Sequence, residues 1–293
     1  MEWKSILLGV GLGVILVPVC LLIGLRLLVW FISRKLRKLG EQIQAGMTPS
    51  EITLVASDSP PLAGPIGFSS LGRYAIPQMP GVEISAWMSP DQSQWAVGYN
   101  HPARSEWWDL ISMYSDGGSY SCSSLDDTGL EPDPRHRSKK HPGASLEDLL
   151  QKHLSERPRD HRGLSSEEFV PEFCRCYRET IEWRLGKGTT RQEMVRVAQL
   201  SGQVYDESTI EAAFVTHQAQ EVGQLEEILR QRFLSKTSLT PGEWEKVRDQ
   251  LVFVHDRTSS ELRQQAQERG QLLGTLEEPV ACQVYALPEE VEA

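Results

Sequence analysis

Apolar and polar residues follow three patterns along this chain: one long apolar run, then alternation with period two, then apolar residues at every third or fourth position. The apolar run covers residues 6–25, which carry no charged side chain. An α-helix rises about 1.5 Å per residue, so about 20 apolar residues span the roughly 30 Å core of a bilayer. The pattern predicts a single N-terminal transmembrane helix that contacts the lipid bilayer through residues 5–32.

An uncleaved anchor is favoured over the two other interpretations of this segment. A cleaved signal peptide has an apolar region of about 7–15 residues and a small-residue exit, whereas here apolar residues continue beyond Arg26 without such an exit. A lipoprotein signal would use Cys20, but Val19 stands where a small residue is needed. We therefore expect the segment to remain in the mature protein.

The residues that flank the span predict its orientation. Trp3 and Trp30 bracket it as interfacial aromatic residues do. Four basic residues follow the span, and an excess of Lys and Arg marks the cytoplasmic side. The prediction is a single-pass membrane protein whose soluble region is cytoplasmic; contact with anionic lipid headgroups is a sharper alternative for the basic cluster. The cluster consists of Arg34, Lys35, Arg37 and Lys38.

Period-two alternation after residue 65 predicts β-strands. Asp116-Gly117 is the clearest turn signal, because Asp-Gly accepts the positive φ that a tight hairpin requires. A helix that begins after Ser145 carries a leucine stripe and is predicted to cover one face of the sheet. The expected fold is a four-stranded antiparallel meander with a covering helix, its strands at 82–88, 95–99, 107–114 and 119–125.

Helical periodicity begins at residue 164. Asp206 is predicted to cap a long helix through Phe233. Thr240-Pro241-Gly-Glu243 has the form of a capping box with proline at the first helical position, and its helix is predicted to continue to Leu262. The two helices would form a long antiparallel helical hairpin.

These patterns together predict an α+β protein in five parts. Residues 1–40 form the transmembrane anchor with its basic collar, and residues 41–65 form a linker. Residues 66–158 form the antiparallel β meander with its helix, and residues 159–277 form the helical region. Residues 278–293 add a short strand, indicated by weak alternation, and an acidic tail.

Charge and cysteine content narrow the function classes. Residues 1–40 hold six of the 30 basic residues and one of the 40 acidic ones, so the rest of the chain has 24 against 39. This acidity argues against nucleic-acid binding, which needs a basic surface. Five cysteines are an odd count in a long chain, which argues against a disulfide framework.

The motifs that resemble metal or protease chemistry have ordinary explanations. Asp127-Thr128-Gly129 matches the aspartic-protease triplet, but it lies in a polar loop without a second copy, so we expect a turn. Four histidines at 136, 141, 153 and 161 lack metal-ligand spacing, and neighbouring basic residues oppose a cation. No metal or cofactor is predicted, and the alternative is a site for an anion or acidic partner. The basic residues are Arg135, Arg137, Lys139 and Lys140.

The aromatic residues of the meander give the main hint of a functional surface. Trp107 and Trp108 are adjacent in a predicted strand, so their side chains point to opposite faces of the sheet. Both can belong to the hydrophobic core only if the sheet is covered on each side. With Tyr99 they predict an aromatic binding face.

We expect a membrane-anchored, cytoplasm-facing interaction or sensing protein without its own catalytic centre. The meander would bind a small ligand or partner, and the helical hairpin would bind a protein partner or a second copy of the chain. The alternative is a membrane-tethered hydrolase with an acid/base site between the meander and the helices. Such a site requires at least two acid/base groups within about 3–4 Å in one pocket, and the weak candidates are His101, Asp109, Asp127 and His136.

Overall fold

The central element of the fold is a seven-stranded sheet whose strands lie side by side in chain order. The computed structural model describes residues 49–288, apart from residues 103, 201–205, 238–239, 241, 243 and 245–246. The strands of this sheet are β1 (Val55–Ala56), β2 (Ser69–Ala75), β3 (Glu83–Met88), β4 (Trp95–His101), β5 (Arg104–Met113), β6 (Ser119–Ser123) and β7 (His136–Lys140).

Neighbouring strands are antiparallel except for β6 and β7, which are parallel. The connection between them, residues 124–135, has the length that a parallel crossover needs. The predicted four-stranded antiparallel meander is therefore wrong: β3–β6 form the expected core, but β1 and β2 extend one edge and β7 extends the other.

Helices cover both faces of this sheet. Helix α1 (Leu146–Glu156) packs through Leu149 on one face, and α2 (Phe169–Lys187) packs through Phe169 on the other. Both side chains are fully buried. The Ser145 side chain accepts a hydrogen bond from the Asp148 N–H and so caps α1.

A second sheet replaces part of the predicted helical hairpin. After α3 (Arg191–Leu200) and α4 (Glu207–Lys236), the chain forms β8 (Leu251–Val254), α5 (Ser260–Arg269), β9 (Gln271–Leu276) and β10 (Cys282–Ala286). The three strands form an antiparallel sheet in the order β8-β10-β9.

The helical hairpin is wrong because its second helix is short. Trp244 and Val247 are helical, but a turn of 3₁₀ helix at Arg248–Gln250 leads directly into β8. The run Leu251-Val-Phe-Val254 contains two β-branched residues and one aromatic residue, which favours a strand once β10 offers a partner. Helix α4 packs on this second sheet through Leu225, Leu229 and Phe233. The binding of a protein partner or a second copy was assigned to the hairpin as a whole, and it stays a prediction.

The predictions of a transmembrane helix, a single-pass topology and a cytoplasmic soluble region are corrected. None of the described helices is long and apolar enough to cross a membrane. Helix α4 has 30 residues, but charged side chains occur along its length. The predicted span and its flanking residues lie outside the described residues. The flanking residues are Trp3, Trp30, Arg34, Lys35, Arg37 and Lys38.

Candidate ligand pocket between the central sheet and helix α2

A cavity of about 230 Å³ lies between α2 and the face of the sheet that β4–β7 present to it. Strand alternation brings side chains of one parity to this face, and α2 forms the opposite wall. The lining combines aromatic and aliphatic groups with three serines, one histidine and one aspartate. It consists of Trp95, Tyr99, Asp109, Ile111, Met113, Ser119, Ser121, His136, Ser138, Phe173, Cys176, Tyr177 and Thr180.

Aromatic pairs fix the walls of the cavity. The Trp95 ring meets the Phe169 ring edge-on, with centroids 5.3 Å apart. The Tyr99 ring lies nearly parallel to the Trp107 ring, with centroids 4.6 Å apart. Trp107 is half-buried and supports Tyr99 from outside the lining. These contacts hold both wall residues in defined orientations.

Asp109 places a buried acceptor at one end of the cavity. Its Oδ1 is shielded from solvent and has no hydrogen-bond partner among the described residues. Burial raises the pKa of this carboxyl above its ordinary value, against the opposing effects of the Lys140 charge and of hydrogen bonds that Ser123 and Tyr99 make to the carboxyl without satisfying Oδ1. Burial, together with the charge of Asp109, raises the pKa of Tyr99 well above its ordinary value.

His136 connects a serine to a glutamate at the other end of the cavity. Its Nδ1 lies 3.0 Å from Ser119 Oγ, and its Nε2 lies 3.1 Å from Glu179 Oε2. Glu179 also pairs with Arg175 at 2.8 Å and with Arg135 at 3.1 Å. Burial opposes ionisation of Glu179, but hydrogen bonds from Arg175 and His136 and the nearby arginine charges lower its pKa overall.

Two of the four weak catalytic candidates, Asp109 and His136, share this cavity but do not form a pair. On β6, Ser123 is paired with Asp109 of β5, whereas Ser119 is paired with Met113 of β5 and with His136 of β7. The register separates the two groups by four positions, about 13 Å along the strands. They cannot meet within the 3–4 Å that the acid/base hypothesis required.

The other two weak candidates lie elsewhere. His101 is at the end of β4, with its ring centroid 6.2 Å from that of Trp107. The Asp127 carboxylate accepts a hydrogen bond from the Gly129 N–H at 2.9 Å, which is a local turn. Neither residue lines the cavity.

Trp107 and Trp108 do point to opposite faces, and the sheet is covered on each side. Trp108 packs on Trp87, with ring centroids 5.2 Å apart, in the cluster beneath α1. Both tryptophans are half-buried. Only Trp107 adjoins the cavity, through Tyr99, so the predicted aromatic binding surface is divided between two faces.

The predicted basic binding cluster is also divided, because four of its residues lie on or beside a strand. The charge of Lys140 acts on Asp109. In contrast, Arg137 is 5.8 Å from the Tyr114 ring centroid, and Lys139 Nζ is 3.1 Å from Glu156 Oε2. Arg135 pairs with Glu179. A single basic patch is therefore absent from this part of the described structure.

Most of the polar side chains that line the cavity were not predicted from the sequence. Ser119 and Ser121 alternate in a predicted strand, a signal that places both on one face. Ser138 lies in a segment, His136–Lys140, for which the sequence predicted no strand. No local pattern connects Glu179 to His136, since 43 positions separate them.

No protein-family model, curated protein or solved structure matches this chain.

Proposed function

We propose that this protein binds a small molecule in the cavity between the central sheet and α2. The ligand would carry an N–H or O–H donor for Asp109 and an apolar part that packs against Tyr99 and Ile111. The observation that carries the proposal is the buried Asp109 Oδ1, which has no hydrogen-bond partner among the described residues. An unpaired buried polar group costs about 1–3 kcal/mol, and a bound donor would remove this cost.

The cavity limits the size of this ligand. Its volume of about 230 Å³ is below the roughly 300–1,000 Å³ of sites for drug-sized molecules. The hydroxyl groups of Ser121 and Ser138 provide further polar contacts between the two ends. These features favour a small amine, amino acid or hydroxylated compound.

A thermal-shift screen of small amines, amino acids, polyols and amides tests the proposal. A compound that binds the folded state should raise the melting temperature of the wild type. The same compound should not stabilise Asp109→Asn, whose amide replaces one carboxylate oxygen, or Ser121→Leu, whose larger side chain enters the cavity. Asp126→Asn is the matched control, because this carboxylate is in a loop outside the lining. Equal stabilisation of Asp109→Asn and the wild type would contradict the proposal.

A hydrolase is the second candidate, and the Ser119–His136–Glu179 chain favours it. In such a chain the imidazole takes the serine proton and the carboxylate stabilises the resulting imidazolium. However, two backbone N–H groups beside the Ser119 side chain already have acceptors: that of Ser119 donates to Arg135 O at 3.0 Å, and that of Gly118 donates to Asp116 Oδ1 at 2.8 Å. Neither is available to stabilise an oxyanion, so ligand binding is the better supported function.

Covalent labelling separates the two candidates. A fluorophosphonate probe should not modify Ser119 if His136 has only a structural role. Modification that is lost in Ser119→Ala and retained in Ser121→Ala would favour the hydrolase. The two serines lie on the same strand and line the same cavity, which makes the second variant a matched control.

A further inference from the structure

Three potential metal ligands converge on the face of the central sheet that is opposite the cavity. The ligand atoms of Cys122, His141 and Glu156 all lie within 4.8 Å of one another. Cys122 is in β6, His141 follows β7, and Glu156 is the last residue of α1. The set therefore combines a thiol, an imidazole and a carboxylate from three parts of the fold.

Regular structure holds each of these residues in place. The thiol of Cys122 is fully buried beneath α1. The His141 N–H donates to Ser123 O at 2.7 Å, which continues the pairing of β6 and β7 past the end of β7. Glu156 is positioned by α1, whose Leu149 is fully buried in the same cluster. Preorganised ligands of this kind favour tight metal binding.

His141 provides a second observation that points to a ligand. Its Nε2 is shielded from solvent and has no hydrogen-bond partner among the described residues. The nearest carboxylate oxygen, Glu156 Oε2, is 3.5 Å away. The lone pair of a neutral imidazole in this position is a good ligand for a metal ion.

The basic residues around His141 do not act as one positive field, which was the sequence argument against a metal. Arg137 is 5.8 Å from the Tyr114 ring centroid, Arg135 pairs with Glu179, and Lys140 lies on the side of Asp109. Lys139 does contact the set, with its Nζ 3.1 Å from Glu156 Oε2. Its side chain is 59% exposed and can move into solvent when a cation takes its place.

From this geometry we infer that Cys122, His141 and Glu156 form a site for Zn²⁺. Zinc accepts sulfur, nitrogen and oxygen ligands in tetrahedral geometry, and three protein ligands leave the fourth position to water. On binding, the ion replaces the Cys122 thiol proton, which donates to Tyr120 Oη in the free protein and passes to solvent. It also displaces the Lys139 ammonium and the Tyr120 hydroxyl from Glu156 Oε2. The site is separate from the proposed ligand cavity and does not depend on it.

Metal titration of the full chain tests this inference. We expect one Zn²⁺ per chain by isothermal titration calorimetry, and Co²⁺ substitution should give a thiolate-to-cobalt charge-transfer band. Cys122→Ser should abolish the band and weaken Zn²⁺ binding by at least about 100-fold, because the soft ligand is lost. His141→Gln and Glu156→Gln should each weaken binding by at least about tenfold.

Matched controls keep the result specific. Cys174→Ser, His101→Gln and Glu147→Gln change the same residue types away from the site and should leave Zn²⁺ affinity unchanged. Lys139→Met removes the competing cation without touching a ligand, so it should tighten binding by up to about fivefold. This variant also gives a readout if Cys122→Ser does not fold. Absence of stoichiometric binding, or a charge-transfer band that persists in Cys122→Ser, would overturn the inference.

Discussion

At the level of single residues, a buried histidine under α1 should make the free energy of unfolding depend on pH. His153 is fully buried, and its Nε2 lies 2.9 Å from Ser112 Oγ. Burial, with the nearby charge of Arg157, lowers the pKa of His153 to about 3. The folded protein therefore holds this imidazole in its neutral form at physiological pH.

We expect His153 to make the protein less stable as the pH falls below 6.5. In that range the unfolded chain binds a proton at His153, whereas the folded chain does so only near pH 3. Each pH unit then favours unfolding by about 1.4 kcal/mol, or about 2 kcal/mol between pH 6.5 and pH 5. Urea denaturation should show a smaller loss over this range in His153→Gln than in the wild type. Part of the loss remains in the variant, because burial also lowers the pKa of His255.

Measurement between pH 6.5 and pH 5 separates the contribution of His153 to the pH dependence of stability from that of the carboxylates. Glu193, whose pKa is lowered to about 2 by its hydrogen bonds and by Lys187 despite its burial, adds its own acid sensitivity only below about pH 4.5. The same pH dependence in His153→Gln and the wild type would contradict the burial argument.

The adjacent tryptophans should differ in their effect on stability. Trp108 packs on Trp87 beneath α1, whereas Trp107 stacks on Tyr99. We expect Trp108→Ala to lower the free energy of unfolding by about 3 kcal/mol, as truncation of a packed aromatic does. Trp107→Ala should cost about 1 kcal/mol, the value of one aromatic pair. Urea denaturation measures both, and equal losses would count against the division into two faces.

At the scale of elements, the N-terminus of α1 connects a local sequence signal to helix stability. Ser145 Oγ accepts a hydrogen bond from the Asp148 N–H at 3.2 Å. Loss of a serine cap costs about 1 kcal/mol. We therefore expect Ser145→Ala to lower the free energy of unfolding by about this amount, as measured by denaturant titration.

A serine near the other end of α1 is the control for this cap. Ser155 Oγ bonds to Lys152 O within the helix and satisfies no free N–H group. Ser155→Ala should change stability by less than about 0.5 kcal/mol. A similar loss in both variants would mean that the serine at the helix start does not act through capping.

Strand β7 could not be predicted from the pattern of apolar residues. Its residues His136-Arg-Ser-Lys-Lys140 contain no aliphatic or large apolar side chain, so hydrophobic alternation is absent. It forms because its backbone pairs with β6, from Ser119↔His136 to Ser123↔Lys140. This pairing brings His136 and Ser138 into the cavity, so two of its polar groups lie on a strand that was not predicted.

At the scale of the whole molecule, α2 connects two hydrophobic clusters. Phe169 and Phe173 belong to the cluster on the central sheet, whereas Ile181 and Leu185 belong to the cluster that α4 and the second sheet form. Because one continuous helix serves both, the clusters should not unfold independently.

We expect alanine variants in either cluster to shift one shared transition. Phe169→Ala should lower the free energy of unfolding by about 3–5 kcal/mol, and Leu229→Ala by about 2–5 kcal/mol, since both side chains are fully buried. Thermal unfolding followed by tryptophan fluorescence and by far-UV circular dichroism should give coincident curves for each variant. Curves that separate in either variant would show two independently folding parts.

The features that depend on near neighbours in the chain could be predicted from local sequence patterns. Period-two alternation located β3–β6, Asp116-Gly117 located the turn in which Gly117 has a φ of +83°, and Ser145 and Asp206 located two helix starts. These signals act within a few residues, so a single chain segment contains the whole physical cause.

The pairing of distant segments could not be predicted from local patterns, because it depends on the packing of the whole fold. Leu251–Val254 can satisfy a helical or a strand pattern, and β10 selects the strand by offering backbone partners. The cavity, the contact of His136 with Glu179 and the convergence of Cys122 with Glu156 likewise require particular packing of helices on sheet faces. Such contacts join residues far apart in the chain, and the free energy that selects them comes from burial and pairing across the whole fold.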